Sequence, residues 1–272
     1  MEIRSLAGVG WDALAAAFNA AFSDYAVAMA LSPEALADMQ IRRGYVAEAS
    51  FGAYVGDQLV GFVLTCRDGD RIYNSGTGVV PAHRRGGLAR ALLDAVTTST
   101  PAASYVLEVL EPNTRAIALY EAAGFVIARR LQCWTFDARG ADRHALPAGL
   151  AAPVPPERPV DLAAIAASAD VEPAWQNSLA SLRRAREPHI VIGDEHGAAV
   201  VFPGSADLPL LAVARDARRN GRGRRLLAAA AARASRPLRI LNVDERATGI
   251  AAFLTAVGAA PMVRQLEMVR VL

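Results

Sequence analysis

Apolar positions along this chain change their spacing several times, and each change marks an element. In "WDALAAAFNAAF" (Trp11 to Phe22) and "SPEALADMQIRRG" (Ser32 to Gly44) they recur at helical intervals, which predicts two helices. Ser32 is placed to cap the second, with Pro33 at its first helical position. "SFGAYVGDQLVGFVLT" (Ser50 to Thr65) reads as two strands around a "GDQ" turn. "RIYNSGTGVV" (Arg71 to Val80) predicts a third strand, and "RRGGLARALL" (Arg84 to Leu93) opens a helix. "SYVLEVL" (Ser104 to Leu110) is a further strand. "NTRAIALYEAAG" (Asn113 to Gly124) is a helix capped by Asn113 and stopped at Gly124, and "FVIARRLQCWTF" (Phe125 to Phe136) closes the series as strands.

The later part of this order then repeats. "DLAAIAASAD" and "PAWQNSLASLRRARE" predict helices, "HIVIGDEHGAAVVF" (His189 to Phe202) a hairpin, and "LPLLAVA" (Leu208 to Ala214) a strand. A second arginine-glycine helix, "RRNGRGRRLL" (Arg218 to Leu227), is followed by the strand "LRILNV", a helix to Gly258 and a terminal strand "RQLEMVRVL". Arg84 pairs with Arg218, Gly87 with Gly221, Leu107 with Leu241 and Gly124 with Gly258 at one constant offset of 134. Two copies of one domain explain this better than chance, and a domain-sized period excludes a solenoid. Between the copies the chain turns rich in Pro, Gly and Ala without sustained period. The expected division is a first domain over 1–140, a linker over 141–158 and a second domain over 159–272. Helices and strands mixed in this order predict an α/β (α+β) class.

Composition narrows the field. The hydrophobic fraction of 53% and charged fraction of 21% are those of a globular protein. No apolar run is long enough to span a bilayer, and "MEIRSLAGVGWDAL" has no secretory signal pattern. Cys66 and Cys133 are too few for a disulfide framework, so a reducing cytoplasmic location is expected, with no membrane partner. A net charge of +2 gives no global reason to expect nucleic acid. All 29 basic residues are arginine, so no lysine can act as base, nucleophile or Schiff-base former.

The arginine-glycine helix carries the chemistry. A helix N-terminus offers free N–H groups and partial positive charge, which together suit phosphate. Gly86, Gly87 and Ala89 let a ligand approach the backbone, while Arg84 and Arg85 add positive charge. There is no G-x-x-x-x-G-K-[ST] and no G-x-G-x-x-G, so neither a triphosphate P-loop nor a dinucleotide site is indicated. The pattern present is Arg84-x-x-Gly87-x-Ala89. "VVPAHRRGGLARALL" followed by "LEVLEPNTRAIALYEAAGF" resembles the GCN5-related N-acetyltransferases, the GNAT superfamily. The resemblance covers residues 50 to 136 well and Met1 to Gly44 in outline, and it makes the chain similar to a tandem, two-domain member.

It implies two mostly antiparallel mixed sheets flanked by helices, and acetyl-CoA as cosubstrate with no metal. Backbone amides over Arg84, Arg85, Gly86, Gly87, Leu88 and Ala89 would hold the CoA diphosphate. Amides at Val79 and Val80 would polarise the thioester carbonyl, and Asn113 would contact the CoA arm. Tyr120 would protonate the departing thiolate, and Glu108, directly or through water, would accept the amine proton. Each residue also has a plainer reading. The glycines could make only a tight turn, the valines only core, Asn113 only a helix cap. Tyr120 could be packing with a tethered hydroxyl, and Glu108 an exposed strand residue or ion pair. Tyr73, Asn74, Ser75 and Thr77 could touch the acceptor. "FSDYAVAM" (Phe22 to Met29) falls where acceptor-covering helices occur in the family, with Asp24 and Tyr25 as candidate amine ligands.

In the second copy Tyr120 becomes Leu254, Asn113 becomes Ala247 and Glu108 becomes Asn242, while the loop Arg218, Arg219, Gly221, Arg222, Gly223 survives. The expectation is therefore acetyl transfer to an amine, small molecule or peptide N-terminus, in the first domain, with a second that binds CoA weakly or supports the first. The alternatives are a non-catalytic acyl-CoA-binding or regulatory protein and an arginine-rich nucleic-acid module. Monomer, as a pseudo-dimer of its own two copies, and homodimer both remain open.

Overall fold

The structure, a computed structural model, describes residues 1–24, 30–138 and 160–272. In chain order the elements are β1 (Glu2–Ser5), α1 (Trp11–Ala21), α2 (Pro33–Arg43), β2 (Phe51–Val55), β3 (Gln58–Asp68) and β4 (Arg71–Val79). Then come α3 (Leu88–Ser99), β5 (Ser104–Leu110), α4 (Thr114–Ala122) and β6 (Val126–Phe136). The later part holds α5 (Leu162–Ala166), α6 (Leu179–Arg184), β7 (Ile190–Asp194), β8 (Gly197–Phe202) and β9 (Asp207–Val213). It ends with α7 (Arg222–Ala231), β10 (Leu238–Asp244), α8 (Thr248–Ala256) and β11 (Ala260–Val271). The expected mixed α/β class is what the chain forms. Contacts group it into two units: Met1–Ala128 with Arg184–Arg186 and Leu266–Leu272, and Arg129–Arg183 with Glu187–Gln265. Each unit thus receives a strand segment from the other part of the chain. The expected linker, 141–158, lies outside the described residues.

In the first unit β1, β2, β3 and β4 run antiparallel in that order, and β5 joins β4 in parallel. β3 presents alternate sides. Phe62 and Leu64 pack with Leu14, Phe18 and Leu36 of α1 and α2, while Val63 packs with Leu92 and Val96 of α3. Leu266 and Met268 of β11 complete the α3–α4 face beside Leu107 and Val109. The expected hairpin turn falls at Gly56 and Asp57, and β3 continues to Asp68, beyond the expected Thr65. β1 has no counterpart in the sequence reading: four residues are too short to show a period.

The second unit repeats the antiparallel β7, β8 and β9, with β10 parallel to β9 and antiparallel to β6. Trp134 and Phe136 of β6 enter its core with Leu227, Leu238 and Leu254. The stretch "PAWQNSLASLRRARE", expected as one helix, is broken into a 3-10 turn at Trp175–Asn177 and the short α6. Trp175 is buried, and the Asn177 side chain donates to the Leu241 carbonyl (2.8 Å), so tertiary anchors win over helical propensity.

Candidate functional site

β4 and β5 pair only from Arg71↔Ser104 to Asn74↔Leu107. Beyond Asn74, β4 carries a bulge at Ser75, where the register with β3 shifts between Leu64↔Gly76 and Thr65↔Asn74. A cavity of about 370 Å³ opens along the rest of β4, lined by Thr77, Gly78 and Val79, by the loop before α3 and by one face of α4. Gly78 is needed where β4 meets α1. A Cβ there would lie 2.6 Å from the Phe62 ring and 2.9 Å from the Ala21 side chain.

The helix expected from Arg84 begins later, at Leu88, because Arg84 to Gly87 form the loop itself. Arg85 (φ 69°) and Gly87 (φ 76°) are left-handed, and successive turned amides of this kind make an anion-binding concavity. Among the described residues no side chain caps α3, in contrast to α2 and α4, whose first turns are capped by Ser32 and Asn113. The first helical bond is Ala91 N–H to the Gly87 carbonyl (3.0 Å), so the N–H groups of its first turn have no partner within the helix. No atom of the described residues stands within 4 Å of a Cβ at Gly86 or Gly87. The diphosphate of an acyl-CoA fits such an end: bare amides, a positive dipole and open approach.

The candidates divide as follows. Val79, Arg84, Arg85, Gly87, Leu88, Ala89, Asn113 and Tyr120 line the cavity, as does Arg115, which the sequence did not single out; Val80, Gly86 and Glu108 do not. The Val80 N–H is donated to the Val60 carbonyl (2.9 Å), which removes it as an oxyanion donor. Alternate residues of a strand turn their amides to opposite edges, so the Val79 N–H is on the edge away from β3. The Arg84 side chain is also committed. Its Nε donates to the Val79 carbonyl (2.9 Å), and its terminal nitrogens donate to the Ala21 carbonyl (2.7 Å) and to Asp24 (2.6 and 2.8 Å). Asp24, expected as an amine ligand, is therefore taken by Arg84, whose hydrogen bonds hold its carboxyl below the ordinary value. Tyr25 lies outside the described residues.

Asn113 Oδ1 accepts the Ala116 N–H (3.1 Å), so the capping reading holds, and the residue faces the cavity as well. Tyr120 is 8% exposed, packed edge-on to Phe125 with ring centroids 5.8 Å apart, and reaches the same cavity. Glu108 is half-buried on β5, between Leu107 and Val109, and accepts a hydrogen bond from the Tyr73 hydroxyl across to β4 (3.1 Å). Burial and then the Glu108 charge push the Tyr73 phenol well above its ordinary value, so it remains a neutral donor. Tyr73 thereby joins β4 to Glu108. Asn74 bonds Thr77 (2.8 Å) and the Gly76 N–H (3.0 Å), and Ser75 bonds Arg43 (3.0 Å). Among the described residues no three His, Cys, Asp or Glu side chains are grouped to hold a metal ion. No helix among them is long and apolar enough to cross a membrane.

The second unit keeps the loop's backbone, with Arg219 at φ 67° and Gly221 at φ 80°, but not its openness. Asn220 Oδ1 accepts the Arg222 N–H (3.2 Å), the Phe253 ring stands 3.3 Å from a Cβ at Gly223, and Arg222 itself pairs with Asp194 (2.5 Å). β9 and β10 pair only at Arg239↔Asp207. Where they separate, the turn Trp175–Asn177 packs on β9 and bonds Leu241 of β10. Asn242, at the Glu108 position, is buried at φ 56° against Cys133 and Gln265.

Comparison with known proteins places these features. Residues 11–125 match the family model "Acetyltransferase (GNAT) family". A structure described as a putative acetyltransferase from Pyrococcus horikoshii superposes with TM-score 0.68 at 13% identity, covering 100% of this chain and 89% of that one. A tandem GNAT protein from the clavulanic acid biosynthesis pathway gives 0.65 at 19%, covering 99% and 98%. A GCN5-related N-acetyltransferase from Sphaerobacter thermophilus gives 0.65 at 17%, covering 99% and 95%. At these identities the structures show a shared fold. Among curated proteins none matches this chain.

Proposed function

From the premise that residues 11–125 are a domain of the GNAT acetyltransferase family, we propose that the first unit moves an acetyl group from acetyl-CoA to a primary amine by direct attack. The observation that carries this reading is one cavity shared by three features: the uncapped start of α3, the free edge of β4 and Tyr120 of α4. The loop amides from Arg85 to Ala89 hold the diphosphate, with Arg85 and Arg115 adding positive charge. Acetyl-CoA supplies the thioester. The Val79 N–H stabilises the oxyanion that forms when the amine adds. Glu108, oriented by Tyr73, takes a proton from the amine through water, since it stands outside the cavity lining. The Tyr120 hydroxyl gives a proton to the departing sulfur. The acceptor is a small-molecule amine or a peptide N-terminus.

The second unit is proposed as a non-catalytic partner. Leu254 has no proton to give, and the Trp175–Asn177 turn takes the gap between β9 and β10. Tyr120→Phe should lower kcat about 10²-fold with acetyl-CoA affinity nearly unchanged, as for loss of a general acid. Steady-state rates on an amine library, paired with calorimetry, read both; an unchanged kcat removes Tyr120 from its role. Gly87→Glu should abolish acetyl-CoA binding, since its side chain adds bulk and negative charge at the amides. Binding retained in Gly87→Glu would overturn the site itself.

A further inference from the structure

The side chain of Arg84 points away from the loop it opens, and the second unit shows the same arrangement. Arg84 Nε reaches the carbonyl five residues back, Val79 (2.9 Å); Arg218 Nε reaches Val213 (3.1 Å). Each terminal group then grips the C-terminal side of its unit's first helix, through the Ala21 carbonyl at the end of α1 (2.7 Å) in one unit and the Ser168 carbonyl just after α5 (2.8 Å) in the other. Each finishes on an aspartate, Asp24 (2.6 Å) or Asp170 (3.0 Å). The aspartates do not share the repeat offset: Asp24 lies 60 residues before its arginine, Asp170 only 48. The same tie is thus met from two different chain spacings. It is present in the second unit although that loop is capped by Asn220 and crowded by Phe253. Its purpose therefore does not depend on a bound anion.

In the first unit the tie acts on the peptide joining Val79 to Val80. The N–H of that peptide is held by the Val60 carbonyl, and its carbonyl is held by Arg84. The Val79 N–H, on the same edge, is aimed by this fixing. Through Ala21 and Asp24 the same guanidinium fixes the end of α1, which walls the cavity. We infer that Arg84 and Asp24 are positioning residues: they set the end of β4 and the loop amides against α1, and Arg84 is not a ligand of the diphosphate. This rests on the reading of the cavity as the acetyl-CoA site.

The two roles predict opposite signs. Asp24 is an exposed carboxylate on the wall of a site for an anion. Were Arg84 a diphosphate ligand, Asp24→Asn would free it and remove a repelling charge, and acetyl-CoA would bind more tightly. As a positioning residue, Asp24 is needed, and its loss weakens binding. The experiment is calorimetric titration of acetyl-CoA into wild type, Asp24→Asn, Arg84→Gln, Asp170→Asn and Gly87→Glu at several salt concentrations, with unfolding followed alongside. Asp24→Asn and Arg84→Gln should raise Kd about tenfold, the scale of effect expected from misplaced groups. The salt dependence should remain that of wild type, because no phosphate contact is lost. Asp170→Asn removes the same bond from the second unit and should leave Kd as it was, which separates positioning from general loss of stability. A lower or unchanged Kd in Asp24→Asn, or a shallower salt dependence in Arg84→Gln, overturns the inference. Gly87→Glu tests the ground beneath it: if that variant still binds, the site reading fails irrespective of the clamp.

Discussion

Single residues settle how closely the parts of the site approach one another. Gly78 is the tightest example, with Phe62 and Ala21 already inside the space a methyl group would take. Gly78→Ala should cost about 2 kcal/mol by overpacking, read as a fall in the urea midpoint at constant slope, and should also weaken acetyl-CoA binding because α1 and β4 are pushed apart. A variant as stable as wild type would mean that the sheet yields there without strain. The glycines were legible in the sequence because their spacing belongs to a motif. The work of Arg84 was not, because its partner Asp24 lies 60 residues away and no local spacing links the two. Val80 was misjudged for a related reason. Two adjacent valines look alike in the sequence, yet the pleat turns their amides to opposite edges, and only one edge was open.

Elements are held by interactions of very different strength. In the second unit Arg129 of β6 is 5% exposed and reaches Asp244 of β10 (3.3 Å), 2% exposed, while also donating to the Glu172 carbonyl (2.5 Å) and the Pro173 carbonyl (3.3 Å). Burial works to raise the Asp244 carboxyl, but hydrogen bonds from Arg246 and Arg129 outweigh it and hold the group below its ordinary value. Asp244→Asn removes a buried carboxylate that Arg129 pairs with and should cost about 3 kcal/mol. A group with a lowered folded value stabilises above its unfolded value and loses that contribution as pH falls through the folded one. The Asp244 contribution should therefore fall away as pH drops from the ordinary aspartate range towards the lowered folded value, and Asp244→Asn should flatten the pH dependence of the denaturation midpoint there; an unaltered dependence would assign acid sensitivity elsewhere. The sequence announced α2 and α4 through Ser32 and Asn113, because a cap is local. It did not announce the break at Asn177, whose partner, Leu241, is on a strand 64 residues further along.

At the scale of the whole molecule, the repeat was legible as an offset, and two units are present. What the offset hid is that each unit takes a strand segment from the other part of the chain, since a strand has the same pattern whichever sheet it joins. Leu266 and Met268 complete the core around Leu107 and Val109, so removing Leu266–Leu272 should harm the first unit more than the second. Hydrogen exchange on the truncated chain checks this: amides of β4 and β5 should lose protection while those of β8 and β9 retain it, with acetyl-CoA binding lost at the same time. Equal loss in both units would make the segment a general stabiliser. The exchange also sets a timetable. A ribosome releases the loop, Glu108 and Tyr120 long before Leu266, so the nascent first unit waits with one side of β5 unfilled while more than a hundred further residues are added. Acetyl-CoA binding should therefore appear late in synthesis, and any chaperone that attends this chain meets its first unit, not its tail, as the unfinished client.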